Sequence, residues 1–157
     1  MGTHEQGLDR LFIELDNLIN KEEIKEEVFA QIGYSSYLPK NYEYKRMINY
    51  DCMDSYIKNA NIIITHAGPG SIFHSLQYNK IPIVVPRNPI FDEHVDNHQI
   101  LFAKKLQESK KILAIYDIKD LNKNIKEYSI LTKNCVVNER LNKEFIDKFS
   151  NLIKTRL

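Results

Sequence analysis

No run in this chain of 157 residues approaches the about 20 consecutive apolar residues that a membrane-spanning helix needs. The N-terminus also lacks the succession of basic, apolar and small residues that marks a secretory signal. Any membrane attachment is therefore expected to come through a partner or a surface patch. Only two cysteines occur, Cys52 and Cys135, far apart and without metal-ligand spacing. They are read as reduced thiols of a cytosolic protein. Charge of one sign is missing too. Lys and Arg number 22 against 21 Asp and Glu, a net charge of +1. No global basic field argues for nucleic acid as a partner, and no acidic tail argues for a solvating role. Neither an internal repeat nor a low-complexity segment stands out. The abundance of Lys, Asn and Ile says more about a genome than about chemistry.

What is present is a core. Apolar residues make up 43% of the chain and charged residues 27%, which suits one folded domain over 1–157. Leu8, Leu11, Phe12, Leu15, Leu18 and Ile19 follow helical spacing and predict an amphipathic helix over 8–19. Residues 28–33 read as a short buried strand, 34–45 as a tyrosine-bearing loop and 45–49 as another short strand. A helix over 51–60, a β-branched strand over 61–65 and a helix over 70–79 follow. Residues 81–86, IPIVVP, read as a fully buried strand. A polar loop over 87–95 leads into a helix reaching Gln107, then a strand over 111–116 and a helix over 117–127 that Asp117 caps. The tail, 138–157, carries the pattern of an amphipathic helix. Strands alternate with helices, and several strands are apolar throughout. That predicts a doubly wound α/β domain, a parallel sheet covered on both faces, with ligands beyond the carboxyl ends of its strands.

At one such end stands THAGPGSIFHSL, residues 65–76. A strand, a Gly-Pro-Gly turn and a helix start bring unpaired backbone N–H groups together, an arrangement that suits phosphate. Gly68 and Gly70 remove Cβ atoms that would hold a ligand away, and Pro69 stiffens the turn. Ser71 can donate a hydroxyl, and His66 a further donor or a charge. A tight turn with a helix cap is the plainer reading of the same residues. The third glycine of the dinucleotide fingerprint is absent, and no Gly-Lys-Ser/Thr follows as in a P-loop. The next loop, RNPIFDEHVDNHQ (87–99), gathers Asp92, Glu93, His94, Asp96, Asn97, His98 and Gln99. Asn and Gln supply both donors and acceptors, as sugar hydroxyls require. A phosphate cradle beside such a loop suggests a nucleotide sugar. Glu93 and Asp96 are read as surface residues of such a loop. His94 and His98, four apart, could chelate a metal, but a solvated or capping role is the plainer reading. Arg87 reads either as a diphosphate partner or as half of an exposed salt bridge.

ITHAGPGSIFHSLQYNKIPIVVPRNPIFDEHVDNHQ (64–99) resembles the donor-binding half of GT-B glycosyltransferases of the family 28 type. MGTHEQGLDRLFIELD (1–16) is similar to the opening of a narrower group. Those are the small catalytic subunits of two-component transferases for bacterial capsular and exopolysaccharides. They are related to the soluble subunit of the eukaryotic dolichol-linked GlcNAc transferase. The resemblance implies that His66, Gly68, Gly70 and Ser71 meet the donor diphosphate and that Asp96, Asn97 and Gln99 meet the donor sugar. Gly2, Thr3, His4 and Glu5 would face the same cleft. The wider family often carries a glutamate for the ribose hydroxyls where this chain has His74. His74 is thus expected either to replace it as a single hydrogen-bond partner or to face solvent.

The implied activity is transfer of GlcNAc or galactose from a UDP-sugar to a lipid-diphosphate-linked saccharide, with inversion. A membrane-associated subunit would bind the acceptor and recruit this chain to the inner face of the membrane. The base would lie on that partner or be His4, which titrates near neutral pH; a structural or binding role for His4 is the plainer alternative. The leaving diphosphate would be held by a helix dipole and backbone N–H groups, so no metal or other cofactor is expected, and the UDP-sugar is a substrate. Two other readings are a non-catalytic enhancer subunit and a generic nucleotide-binding α/β enzyme. Chains of the resembled group begin with an apolar strand before the Gly-Thr turn, and here Met1 precedes Gly2 directly. A missing central strand exposes ladder groups and apolar surface. The dilute monomer is accordingly expected to melt below about 60 °C, within or under the usual mesophile range; differential scanning calorimetry reads this directly.

Overall fold

The computed structural model describes residues 6–135 and Glu144. The turn with His4 and the tail helix expected over 138–157 lie outside the described residues. Helix α1 (Asp9–Asn20) buries Leu11, Phe12, Leu15 and Leu18 together with Leu8 just before it. It is followed by β1 (Phe29–Gln31) and β2 (Glu43–Lys45), which pair in parallel. Helix α2 (Tyr50–Asn59), β3 (Ile64–Thr65), α3 (Pro69–Gln77), β4 (Ile83–Val84), α4 (His98–Glu108), β5 (Leu113–Ala114), α5 (Leu121–Lys126) and α6 (Tyr128–Leu131) complete the order. Strands β3, β4 and β5 form a second parallel sheet, with β4 in the middle.

Period two along β4 shows why helices lie on both faces. Ile83 and Val85 join the core beneath α1 and α5, while Val84 joins the core beneath α3 and α4. The expected α/β class with parallel strands and flanking helices is therefore the observed one. The sheet itself is interrupted. Among the described residues, β1–β2 and β3–β4–β5 share no ladder. Ile62, Ile63 and Ile64 on the β3 side of the break are only half-buried, unlike the wholly buried 81–86 run.

The strands are shorter than their apolar runs. Pro82 and Pro86 carry no N–H, so the regular ladder at β4 shrinks to two residues. Single bonds continue it, from Ile83 N–H to the Ile63 carbonyl and from Val85 N–H to the Thr65 carbonyl, both 2.8 Å. The strand expected over 45–49 lies instead at Glu43–Lys45. Beyond Lys45 the Ile48 N–H donates to the Gln31 side chain, and the Arg46 guanidinium turns back to the carbonyls of Gly33 and Ser35. The helix expected over 117–127 divides into a 3-10 turn, Ile118–Asp120, and α5. Asp117 does cap that turn, accepting the Lys119 N–H at 3.0 Å.

A buried carboxylate anchors the tyrosine loop. Asp16, on α1, accepts the Tyr37 hydroxyl at 2.6 Å and the N–H groups of Lys40 and Asn41 at 2.8 Å. Burial alone pushes its carboxyl up, but these hydrogen bonds together hold it below the ordinary carboxylate value. Its unfolded value lies near about 3.9. Its stabilising contribution is thus complete above that pH and is lost as pH falls through the lower folded value. Asp16→Ala is expected to destabilise the fold by about 2–4 kcal/mol, because three donors lose a charged acceptor. Urea denaturation at pH 7 measures the loss, and the gap to wild type narrows below about pH 4.

Candidate functional site

The Gly-rich turn lies where expected, directly beyond β3. Gly68 is the residue before α3, Pro69 is its first residue, and the Ile72 N–H returns to the Gly68 carbonyl at 3.2 Å. Pro69 brings no N–H. The amides of Gly70 and Ser71 therefore stand at the open end of the helix, where the positive end of its dipole lies.

The two glycines serve different ends. A Cβ on Gly70 would meet nothing within 4 Å, so this position is open to a ligand. A Cβ on Gly68 would lie 2.8 Å from Cε1 of His66. Gly68 thus lets the turn pack directly on the His66 ring. His66 itself is 5% exposed, beneath the turn rather than projecting from it.

His74, one helical turn beyond Gly70, does not face solvent. Its Nε2 lies 2.7 Å from Asp54 Oδ1, and its ring stacks on Tyr50 with centroids 5.3 Å apart. The Tyr78 hydroxyl donates to the same carboxylate at 2.7 Å. Hydrogen bonds from His74 first and Tyr78 second hold Asp54 below the ordinary carboxylate range. Asp54 lies on α2, 20 residues before His74, a separation that carries no sequence signal.

The second part of the site follows β4. Asn88 accepts the Ile90 N–H and starts a 3-10 turn, Pro89–Phe91, and Asp92 follows in the left-handed region at φ 55°. Asp96 accepts the His98 N–H at 2.9 Å and has the ring nitrogens of His94 and His98 at 3.1 and 2.9 Å. The His98 N–H foremost, with both imidazoles, holds its carboxyl low. His94 and His98 thus converge on Asp96. Among the described residues no group of three or more His, Cys, Asp and Glu side chains is set to hold a metal. Asn97 is exposed at the start of α4. Gln99 is buried, and its Oε1 accepts the Arg87 N–H at 3.1 Å, which leaves its amide donors for other partners.

Two expectations fail here. Arg87 is not half of an exposed salt bridge: it is 1% exposed, and among the described residues its Nε and Nη1 meet no hydrogen-bond partner. Glu93 is not a surface residue. It is 5% exposed and accepts from Arg10 Nε at 2.8 Å and from the Asn88 N–H at 3.0 Å. Residues 83 positions apart carry no sequence signal of such a pair. An open cleft of about 440 Å³ runs past Asp9, Arg10, Phe91, Asp92 and Glu93. It borders the 87–97 loop and does not include the Gly68–Ser71 turn.

Residues 2–156 match the model of the glycosyltransferase family 28 C-terminal domain. The chain belongs to that family. It is also similar to the UDP-N-acetylglucosamine transferase subunit ALG13 of Candida albicans, 37% identical over 73 residues, 46% of this chain and 23% of that protein. Against the protein of the same name from Candida glabrata it is 31% identical over 96 residues, 59% of this chain and 44% of the relative. The Kluyveromyces lactis protein is 40% identical over 58 residues, 37% and 27% of the two chains. The matches thus span less than half of the length of these curated relatives. In this family 28 domain, the Gly-Pro-Gly turn after β3 and the polar loop after β4 stand at the carboxyl ends of adjacent strands.

The two roles of the glycines are separable. Gly68→Ala is expected to cost about 1–3 kcal/mol through overpacking on His66. That penalty should shrink in a His66→Ala background, as a double-mutant cycle by urea denaturation would read. Gly70→Ala should leave the unfolding free energy within about 0.5 kcal/mol of wild type.

Proposed function

We propose that this chain is the donor-binding, catalytic subunit of a two-component, inverting glycosyltransferase. It takes a hexose, GlcNAc or galactose, from a UDP-sugar to a lipid-diphosphate-linked saccharide, in capsular or exopolysaccharide assembly. Family membership over 2–156 supports the glycosyltransferase reading, and the relatives' names support UDP-GlcNAc and a subunit role. The observation that carries the reading is the pair of open amides at Gly70 and Ser71, directly beyond β3. Two N–H groups on the positive end of a helix suit the diphosphate of a nucleotide sugar.

In this scheme the acceptor hydroxyl oxygen attacks the anomeric carbon from the face opposite the diphosphate. The bond from that carbon to the diphosphate oxygen breaks, and UDP leaves with the electron pair. The hydroxyl proton goes to a base, His4 or a group of the acceptor-binding subunit. The α3 amides stabilise the charge that develops on the leaving diphosphate, and the scheme requires no metal. Asp96, Asn97 and Gln99 are assigned to the donor sugar and His66, Gly68, Gly70 and Ser71 to the diphosphate. The acceptor-binding subunit is assigned to the membrane, with this chain recruited to its inner face. A second reading, a non-catalytic enhancer, draws on His74: the resemblance puts it where the wider family often carries a glutamate for the ribose, and its Nε2 is engaged by Asp54.

Calorimetric titration of UDP and UDP-sugars into the full chain decides between them. Binding in the micromolar to millimolar range is expected, weakened at least about tenfold, or about 1.4 kcal/mol, by Gly70→Asp. A carboxylate there opposes a diphosphate by charge and by volume. No binding at millimolar UDP, alone or with the acceptor-binding subunit present, would favour the enhancer.

A further inference from the structure

One side chain joins the start of α1 to the loop after β4. Arg10 donates from Nε to Glu93 Oε1 and from Nη2 to the Pro86 carbonyl, each at 2.8 Å. Its guanidinium carbon lies 5.2 Å from the centroid of the Phe91 ring. Pro86 stands at the root of the loop, and exposed Phe91 and buried Glu93 lie within it. The other oxygen of Glu93 accepts the Asn88 N–H at 3.0 Å, so the carboxylate closes the turn from within while Arg10 holds it from outside.

The other bonds of this segment lie within it or at its ends: Asn88 caps the turn, Asp96 takes His94 and His98, and Gln99 takes the Arg87 N–H. Ile90 is 83% exposed and Val95 78% exposed, so its apolar side chains add little burial. The same segment runs on to Asp96, Asn97 and Gln99. We infer that Arg10 is a positioning residue for the donor sugar: by bracing the 86–93 turn it sets the place of the residues assigned to the sugar, without touching the substrate. This inference rests on the donor-binding reading and adds a specificity element to it.

The physical case is geometric. A guanidinium presents a planar fork that can serve a carboxylate, a carbonyl and an aromatic face at once, which an ammonium cannot. If Arg10 is removed, Glu93 keeps the Asn88 N–H and the field of Arg87, both on the loop itself. The loop then closes on itself but loses its tie to α1. Displacement of positioning groups by about 1 Å is costly to recognition and reaction alike. The diphosphate turn follows β3, a different strand end, and the hydrogen bonds of Arg10 go to the β4 loop. The effect should therefore fall on the sugar and spare UDP.

The test uses the full chain. UDP, UDP-GlcNAc, UDP-galactose and UDP-glucose are titrated into wild type, Arg10→Ala and Arg10→Lys, and hydrogen exchange is followed across 87–97. Wild type is expected to prefer one UDP-sugar. Arg10→Ala should reduce that preference by about tenfold while UDP affinity stays within about twofold. Exchange in 87–97 should quicken while exchange in the 81–86 strand is unchanged. Arg10→Lys, which keeps one donor to Glu93, should fall between. An equal fall for UDP and UDP-sugars would mark a general structural role and overturn the inference. So would a preserved preference despite faster loop exchange. If wild type binds no UDP-sugar either alone or with the acceptor-binding subunit present, the donor-binding reading itself fails, and the sugar role of Arg10 with it.

Discussion

The apolar stripe of α1 has to be buried against two parallel sheets at once. Leu8, Leu11, Phe12, Leu15 and Leu18 share one core with Ala30 and Ile32 of the β1 side and with Ile83, Val85 and Ile115 of the β4–β5 side. Each such side chain contributes about 1.5–3 kcal/mol when taken fully from water. Among the described residues no ladder crosses from β1 to β3, so this shared core links the two sheets where strand hydrogen bonds do not. The helix is held in place by both sheets and in turn holds them together.

Once α1 is so fixed, its polar residues become levers. Asp16 points into the tyrosine loop and satisfies three donors there. Arg10, near the other end, grips the loop that follows β4. Leu8 N–H and Asp9 meet Ser35 and Ser36, which stitch the helix start to the turn after β1. Loops that bury little of their own apolar surface are thus ordered by charge-assisted hydrogen bonds from a helix that buries a great deal.

The carboxyl ends of β3 and β4 divide the work of the site by chemistry. After β3 the chain offers backbone donors at a helix end, with a buried imidazole filling the space beneath. After β4 it offers side chains already engaged with one another, Asp96 with two histidines and Gln99 with the Arg87 amide. His74 is engaged in the same way, by Asp54, whose carboxylate also accepts the Tyr78 hydroxyl. Side chains held in this manner have less rotamer freedom left to lose on binding.

The sequence by itself determined the alternation of strands and helices, because apolar periodicity is a local property: Leu8 to Leu18 repeat at helical spacing, and IPIVVP is apolar on both faces. It also made the Gly-Pro-Gly turn legible, since those residue types dictate backbone behaviour within a few positions. It gave strand lengths less well, because Pro82 and Pro86 cut the ladder within an apolar run. It misplaced β2, whose end depends on where the side chains of Gln31 and Arg46 reach. Only the tertiary structure decided that Arg87 and Glu93 are buried, that Gly68 answers to His66, and that His74 belongs with Asp54. Arg10 meets Glu93 across 83 residues of chain. Burial and charge pairing of that kind are properties of the packed molecule, because solvent exposure and distance exist only after distant segments have met.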